Sequence, residues 1–339
     1  MQEFRYRQAK TVEGAVRASG TYLAGGTTLV DLMKLNVLQP AMVVDVNPLP
    51  LAQVEAAAGG GLRVGAMVRN SDLANHPAVQ QQYAVLSEAL LSGASPQLRN
   101  MATTGGNLLQ KTRCYYYRDT NYACNKRQPG SGCSAIDGYN RIHAVLGGGA
   151  DCVATHPSDM AVAMMALEAT VHTEGPGGVR AIALKDFYLL PGTTPEKETV
   201  LEPGELITHV TLPALASGTR SHYLKLRDRA QYEFALASAA VVVQLRGRHV
   251  ERVRIALGGV GTRPWRSPEA ERALGGHEAT TENFRKAAEA AMASAKPLKY
   301  NAFKVELAKK ALVRALETVT GTGQDPLLVV SDQNPPCPR

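Results

Sequence analysis

The sequence predicts an α+β fold built from two or three pieces, and three observations support this. The chain has 339 residues, about twice the length of a typical domain. Hydrophobic residues make up 45% and charged residues 20%, a balance typical of a folded globular protein rather than a disordered chain or a coiled coil. Segments with the periodicity of helices and of strands alternate along most of the chain.

The first hundred residues predict a βαβ-like opening followed by small strands and a helix. TVEGAVRASG indicates a short helix behind the N-cap Thr11, and TYLAG indicates a strand that runs into a glycine turn. TTLVDLMKLN has helical spacing, whereas AMVVDVN, LAQVEAA and LRVGAM indicate short strands separated by Pro and Gly. HPAVQQQYAVLSEALLSG predicts a further helix.

Residues 110–157 show no periodicity, and this stretch is too long for an ordinary connection inside a compact domain. Such a segment needs a specific reason to be ordered. Periodicity returns with the helix SDMAVAMMALEA, which Ser158 can cap, and with the strand TVHTEG.

The remaining segments predict a sheet followed by helices. Five strands are expected near 178–183, 205–212, 221–228, 235–245 and 250–257, mostly antiparallel because their connections are too short for crossover helices. SPEAERALGG, TENFRKAAEAAMASA and FKVELAKKALVRALETV then predict three helices. The Pro-rich end is interpreted as a mobile tail that contains the bystander Cys337.

Composition excludes several classes of protein. The formal net charge is +7, but Lys and Arg are scattered and not gathered with stacking aromatics, so we expect no nucleic-acid partner. No run approaches the ~18 to 20 apolar residues of a membrane span, and the N-terminus lacks an apolar signal-peptide core, which predicts a cytoplasmic protein without membrane insertion. In a reducing compartment, the clustered cysteines are expected to bind a metal rather than to form disulfides.

Two glycine turns are candidate anion sites. Ala24-Gly25-Gly26-Thr27-Thr28-Leu29 lies between a predicted strand and a helix, and Thr103-Thr104-Gly105-Gly106-Asn107-Leu108 offers hydroxyl and amide donors. Paired glycines let backbone N–H groups approach a pyrophosphate closely, although a Gly-Gly turn is more often only a turn. Neither turn has the GxGxxG fingerprint or the P-loop pattern, which disfavours an NAD-binding Rossmann fold and a nucleotide triphosphatase.

Four cysteines fall within the aperiodic segment, at Cys114, Cys124, Cys133 and Cys152. The nine, eight and eighteen residues that separate them match neither zinc fingers nor bacterial ferredoxins. From the residues alone, an iron-sulfur cluster, a zinc site and free thiols all remain open. The nearby His143 and His156 are interpreted as hydrogen-bonding or surface residues rather than ligands.

Residues around the cysteines are suited to a negatively charged metal centre. Backbone N–H groups of the glycine-rich turn 130–132 are expected to point at the sulfurs. Basic side chains that can offset the negative charge are Arg113, Arg118, Lys126, Arg127 and Arg141.

Five segments occur in an order that resembles a known family. They are YLAGGTTLVDLMK, LRVGAMVRNSDL, LRNMATTGGNLLQ, HPSDMAVAM and PGELITHVTLP, followed by GGVGTRPWR. Together they resemble the FAD-binding subunit of the xanthine dehydrogenase and molybdenum hydroxylase family. The resemblance implies a two-part FAD-binding domain of the vanillyl-alcohol oxidase (PCMH) type over 1–215 with an insertion at 110–157, a small α+β C-terminal domain over 216–322, and a tail over 323–339.

The resemblance also implies which residues bind FAD. Asp159 is expected near the adenosine end, and Ile207 with Lys225 near the flavin. The residues implied around the pyrophosphate and ribityl chain are Ala24, Gly25, Gly26, Thr27, Thr28, Leu29, Val30, Asp31, Leu32, Thr103, Thr104, Gly106 and Asn107.

The cysteine segment resembles the insertion of bacterial periplasmic aldehyde oxidoreductases, which implies that its four cysteines hold a 4Fe-4S cluster. The expected partners are a large subunit with a molybdenum cofactor and a small subunit with two 2Fe-2S clusters, assembled as a heterotrimer or its dimer. A partner with a twin-arginine signal would carry this chain to the periplasm already folded. Two alternatives stay open: a zinc-stabilised basic interaction module without flavin, and a stand-alone FAD oxidase.

Overall fold

The computed structural model describes residues 1–322, so the predicted tail with Cys337 lies outside the described residues. The chain begins with a parallel sheet in the order β1-β3-β2. This sheet and its crossovers contain β1 (Arg5–Gln8), α1 (Val12–Arg17), β2 (Thr21–Leu23), α2 (Leu29–Lys34) and β3 (Met42–Asp45). Thr11 caps α1 by accepting a hydrogen bond from the N–H of Gly14 at 3.0 Å. The predicted βαβ-like opening is confirmed.

A five-stranded antiparallel sheet follows, in the order β4-β5-β8-β6-β7. Its strands are β4 (Val54–Ala56), β5 (Leu62–Gly65), β6 (Thr170–Gly175), β7 (Gly178–Ala183) and β8 (Leu206–Leu212). The helices inserted between these strands are α3 (Asn70–Asn75), α4 (Pro77–Gln82), α5 (Ala84–Ser92), α6 (Pro96–Met101), α7 (Thr104–Leu108), α8 (Tyr115–Arg118), α9 (Ser134–Asp137), α10 (Asp159–Ala166) and α11 (Leu184–Phe187).

The helix predicted by HPAVQQQYAVLSEALLSG is broken into α4 and α5 at Tyr83. This residue has φ −129° and ψ 49°, outside the helical region. Its side chain is fully buried, and its hydroxyl donates a hydrogen bond to the carbonyl oxygen of Pro213 at 2.9 Å. A contact with a residue 130 positions away thus accompanies a break that helical periodicity alone does not reveal.

The third sheet is antiparallel, in the order β12-β11-β10-β9. It consists of β9 (Arg220–Leu226), β10 (Ala237–Arg246), β11 (His249–Gly258) and β12 (Trp265–Arg266). Three helices complete this region: α12 (Pro268–Leu274), α13 (Thr281–Met292) and α14 (Phe303–Thr320). The antiparallel strands and the helical end match the prediction, and the mixture of one parallel and two antiparallel sheets with helices confirms the α+β class.

Strand β10 joins two hydrophobic cores because its alternate residues face opposite sides. Ala240 and Val242 belong to the core around α5 and α10, whereas Val241 and Val243 belong to the core beneath α13 and α14. The two halves of the chain are therefore packed together through a strand that is buried on both faces.

The aperiodic segment 110–157 is ordered around its cysteines. Besides the one-turn helices α8 and α9, it contains a β-bridge between Cys124 and Cys133. A separate small core combines Cys114, Cys124 and Cys152 with Tyr117 and with Leu32 from α2. The segment thus packs directly against the helix that follows the first glycine turn. None of the helices between residues 1 and 322 is both long and apolar enough to cross a bilayer.

Candidate functional site

The main cleft of the described residues has a volume of about 1180 Å³ and lies where both glycine turns meet. Small-molecule sites typically occupy roughly 300–1,000 Å³, so this cleft has room for a dinucleotide-sized ligand. Its walls come from the first glycine turn, from the 103–107 turn, from the start of α10 and from the segment before β8.

Close backbone packing explains why glycine occupies the first turn. A Cβ atom on Gly25 would lie 2.0 Å from the carbonyl oxygen of Met101, and Gly26 has a positive φ of 74°. The residue after Met101, Ala102, leads directly into Thr103, which caps α7 by accepting a hydrogen bond from the N–H of Gly106. The two turns therefore touch, and together they line the cleft with backbone.

Most of the residues expected to bind FAD line this cleft. They are Ala24, Gly25, Gly26, Thr27, Thr28, Leu29, Thr103, Gly106, Asn107, Asp159, Ile207 and Lys225. The exceptions are Val30, Asp31, Leu32 and Thr104. Leu32 and Thr104 are fully buried, and the hydroxyl of Thr104 donates to the carbonyl oxygen of Val68.

Asp31 faces the cysteine segment. Arg118 holds its carboxylate through two contacts, of 2.8 and 3.1 Å, and Arg113 adds a third at 3.2 Å. Burial opposes the charge of Asp31, but Arg118 and then Arg113 outweigh it and lower the pKa of this carboxyl. Because the two arginines flank Cys114 in sequence, Asp31 links α2 to the cysteine segment.

Asn107 is oriented by two donors. The hydroxyl of Ser158 and the amide of Gln110 both donate to Asn107 Oδ1, at 2.6 and 2.7 Å. Its Nδ2 group has no hydrogen-bond partner among residues 1–322 and lies on the cleft. Asn107 can therefore present a donor to a ligand.

Asp159 and Lys225 lie side by side in the wall of the cleft. Lys225 Nζ is 2.7 Å from Asp159 Oδ2, and the hydroxyl of Tyr223 donates to Asp159 Oδ1 at 2.6 Å. The side chains of Lys225 and Asp159 are only 3% and 9% exposed. The resemblance assigned Asp159 to the adenosine end of FAD and Lys225 to the flavin, whereas a direct ion pair holds the two side chains together.

Near the cysteines, the cleft wall contains an ion-pair network that the sequence did not reveal. Glu198 contacts Lys111, and it contacts Lys126 at 3.0 Å. Burial opposes the charge of Glu198, but Lys111 and Lys126 outweigh this effect and lower its pKa. No local motif signals the network, because Glu198 is 87 residues from Lys111.

The four predicted metal ligands come together around one small cavity. Cys114, Cys124, Cys133 and Cys152 all line it and are all free cysteines. Lys126, Cys152 and Ala154 line both this cavity and the main cleft, so the two sites share a wall.

Four cysteine thiols are a donor set that suits either a zinc ion or an iron-sulfur cluster. In tetrahedral zinc sites the Zn–S distance of about 2.3 Å brings the sulfurs to about 3.8 Å from one another. Among residues 1–322, no group of three or more Cys, His, Asp or Glu side chains is arranged to hold a single metal ion. Burial raises the pKa of Cys114 to about 12, so bound metal would have to supply the positive charge that favours thiolates.

The turn 130–132 was predicted to donate hydrogen bonds to the cysteine sulfurs, but its polar groups make other contacts. The N–H of Gly132 donates to Asn125 Oδ1 at 2.7 Å, and the hydroxyl of Ser131 accepts from the N–H of Cys124. Burial raises the pKa of Cys114, Cys133 and Cys152, and nearby backbone N–H groups partly offset this effect: those of Tyr117 and Tyr116 for Cys114, of Ala135, Val153 and Ile136 for Cys133, and of Ala154 for Cys152. The one-turn helices α8 and α9, which follow Cys114 and Cys133, thus take the role predicted for the glycine-rich turn.

The basic residues of the segment are largely engaged with protein partners. Arg127 donates to the carbonyl oxygens of Tyr116, Tyr117 and Tyr122, and Arg141 forms an ion pair with Asp228. His143, which sequence reasoning set aside, lies with its Nε2 atom 3.1 Å from Cys114 Sγ. Its position within the cysteine segment was the only signal in the sequence for this contact.

Comparison with known proteins identifies the family. The model for the FAD binding domain in molybdopterin dehydrogenase matches residues 2–215, and that for the CO dehydrogenase flavoprotein C-terminal domain matches residues 222–319. The chain is 51% identical to the aldehyde oxidoreductase FAD-binding subunit PaoB of Escherichia coli, over 93% of this chain and 98% of that one. It is 31% identical to the carbon monoxide dehydrogenase medium chain of Hydrogenophaga pseudoflava, over 87% of this chain and 88% of that one.

A solved structure supports the same family. Carbon monoxide dehydrogenase from Hydrogenophaga pseudoflava superposes with a TM-score of 0.75 at 29% identity, covering 95% of this chain and 99% of that chain. A basic zinc module without flavin is therefore the wrong reading, because the FAD-binding family model spans most of the chain. The chain belongs to the FAD-binding medium subunits of the molybdenum hydroxylase family, which are parts of FAD-dependent oxidoreductases.

Proposed function

We propose that this chain is the electron-transfer subunit of a molybdenum-dependent aldehyde oxidoreductase and that it carries a 4Fe-4S cluster beside its FAD. The observation that carries this proposal is the wall of Lys126, Cys152 and Ala154 shared by the cleft and the four-cysteine cavity. The 51% identity to an aldehyde oxidoreductase subunit supports aldehydes as the substrate class of the complex.

The residues that line the cleft are proposed to hold FAD. Most belong to the proposed FAD-binding domain at 1–215, and the region 216–322 contributes the others. Gly25 and Gly26 would let the backbone approach the pyrophosphate, and Asn107 Nδ2 would donate to the ligand. When bound, FAD supplies the redox chemistry that converts two-electron and one-electron steps into one another. The protein holds the cofactor in place, and the Glu198 network sets the charge of the wall beside it.

Cys114, Cys124, Cys133 and Cys152 are proposed to ligate the cluster. Four thiol ligands around one cavity suit either a zinc ion or an iron-sulfur cluster, and the resemblance of segment 110–157 to the cluster-binding insertion of bacterial aldehyde oxidoreductases favours the cluster. Bound metal also explains how a segment without periodicity stays ordered.

The proposed partners are a large subunit with the molybdenum cofactor and a small subunit with two 2Fe-2S clusters, in a heterotrimer. Relatives are named as medium chains or FAD-binding subunits, which supports a role inside a larger enzyme. In this arrangement the chain receives electrons from the 2Fe-2S subunit and delivers them to an external acceptor. A stand-alone oxidase is disfavoured by the same relatives.

The test is the cofactor content of the chain purified together with its partners. We expect FAD together with about four irons in this chain, and an absorption spectrum that bleaches with dithionite. Cys124→Ser should lose most of this iron, whereas Cys337→Ser, which changes the fifth cysteine, should retain it. Zinc in place of iron would contradict the cluster, and absence of flavin would contradict the whole proposal.

A further inference from the structure

We propose that His143 donates a hydrogen bond from Nε2 to the sulfur of Cys114 and thereby raises the reduction potential of the cluster. This inference rests on the cluster proposed above. It gives His143 the role of a positioning and tuning residue, not of a ligand.

The geometry of the contact supports a hydrogen bond. His143 Nε2 lies 3.1 Å from Cys114 Sγ, and the two residues are only 1% and 6% exposed. The other ring nitrogen, Nδ1, is buried and has no hydrogen-bond partner in the part of the chain that the structure describes. A thiolate can only accept, so the shared proton belongs to His143 Nε2.

The backbone of His143 is held independently of the cysteines. Its carbonyl oxygen accepts hydrogen bonds from Lys304 Nζ at 2.9 Å and from Asn301 Nδ2 at 3.2 Å, and its N–H donates to Asn140 at 3.1 Å. Lys304 and Asn301 belong to the C-terminal region, and both are fully buried. The contact with Cys114 is therefore built into the packing between the two regions of the chain.

Lys304 adds further hydrogen bonds to this anchor. Its ammonium also donates to the carbonyl oxygens of Ile142 at 3.0 Å and of Gly259 at 2.5 Å. A buried ammonium with three carbonyl acceptors fixes the chain on both sides of the His143 peptide. The imidazole is thereby held beside Cys114.

The direction of the effect follows from charge. Reduction adds negative charge to a thiolate-ligated cluster, and a donor to a ligating sulfur stabilises the reduced form more than the oxidised form. The other donors to Cys114 are the backbone N–H groups of Tyr116 and Tyr117, which no side-chain substitution removes. Among residues 1–322, His143 is the one side chain that contacts a cysteine sulfur within hydrogen-bonding distance.

Two substitutions in the purified complex test the role. His143→Leu should keep the full iron content but shift the midpoint potential of the cluster downward in an EPR-monitored redox titration. His143→Gln, whose amide can still donate, should restore part of that shift. His277→Leu, at an exposed histidine, is the matched control and should leave the potential unchanged.

A measurement on the unsubstituted protein keeps the inference testable if a variant fails to fold. With ¹⁵N-labelled histidine, pulsed EPR of the reduced cluster should show a weak nitrogen coupling, as a hydrogen bond through sulfur produces. A strong coupling, typical of a nitrogen bonded to iron, or no coupling would overturn the inference. So would an unchanged potential in His143→Leu. Absence of iron from the unsubstituted protein would instead contradict the cluster itself.

Discussion

At the residue scale, the ion pair of Lys225 and Asp159 ties β9 to the start of α10 in the wall of the proposed FAD cleft. Removing one partner of a buried ion pair leaves an uncompensated charge. We expect Lys225→Met to reduce the free energy of unfolding by about 3–5 kcal/mol. Urea denaturation should show this as a lower midpoint.

The double substitution Asp159→Asn with Lys225→Met provides the control for that prediction. Because it removes both charges, it should cost less than the sum of the two single substitutions. Simple additivity in this double-mutant cycle would show that the two side chains do not interact.

A second prediction at this scale concerns Gly25. Since an added Cβ would meet the carbonyl oxygen of Met101 at 2.0 Å, Gly25→Ala must push the two glycine turns apart. We expect the purified variant to retain a several-fold smaller fraction of its FAD. Gly177→Ala, where an added Cβ meets nothing within 4 Å, is the matched control and should keep its FAD. Full FAD retention in Gly25→Ala would show that contact between the turns is not required.

At the scale of secondary-structure elements, Asp31 connects α2 with both sides of Cys114. Asp31→Asn removes the carboxylate that Arg113 and Arg118 share, and it leaves two arginines without their anion. We expect several-fold faster loss of iron to a chelator. Asp72→Asn, at an exposed position in the first turn of α3, should behave like the unsubstituted protein. Equal rates of iron loss in both variants would mean that α2 does not support the cysteine segment.

Strands β6 and β8 carry a pair of stacked histidines that makes stability depend on pH. The rings of His172 and His209 lie 4.2 Å apart, and burial, then His172 and Arg63, lower the pKa of His209 from 6.5 to about 4. The unfolded chain therefore binds more protons than the folded chain between these two values, so stability decreases as the pH falls through this range.

A substitution measures the contribution of this pair. We expect the drop in urea midpoint between about pH 7 and about pH 5 to be smaller in His209→Gln, because a neutral amide removes one of the linked protons. His277→Gln should leave the drop unchanged. An identical drop in all three proteins would show that His209 titrates at the same pH in both states.

Some features of these elements could be predicted from the sequence and others could not. The glycine turns, the Thr11 cap and the cysteine positions were readable because each depends on a few neighbouring residues. The helix break at Tyr83 could not be predicted from neighbouring residues, since its hydroxyl donates a hydrogen bond to Pro213 on a distant segment. The donors to the sulfurs were assigned to the wrong turn, because one-turn helices are too short to leave a periodic signal.

At the scale of the whole molecule, the antiparallel strands and the order of the segments could be predicted, but the pairing between distant regions could not. Lys225 lies 66 residues from Asp159, and Glu198 lies 87 residues from Lys111. The sequence does not show which charged side chains will pair over such separations. Strand β10, which is buried on both faces, packs the region that contains Asp159 against the C-terminal helices. Both proposed cofactor sites depend on that packing, because the C-terminal region supplies Lys225 to the cleft and Lys304 to the cysteine segment.

The central claim is that this chain transfers electrons and does not itself oxidise the substrate. The most direct measurement is stopped-flow absorbance of the flavin after mixing with an aldehyde, for the assembled complex and for the isolated FAD-loaded chain. We expect the flavin to bleach in the complex, and the isolated chain to bleach with dithionite but not with aldehyde. Bleaching of the isolated chain by aldehyde would contradict the account and would identify a stand-alone oxidase.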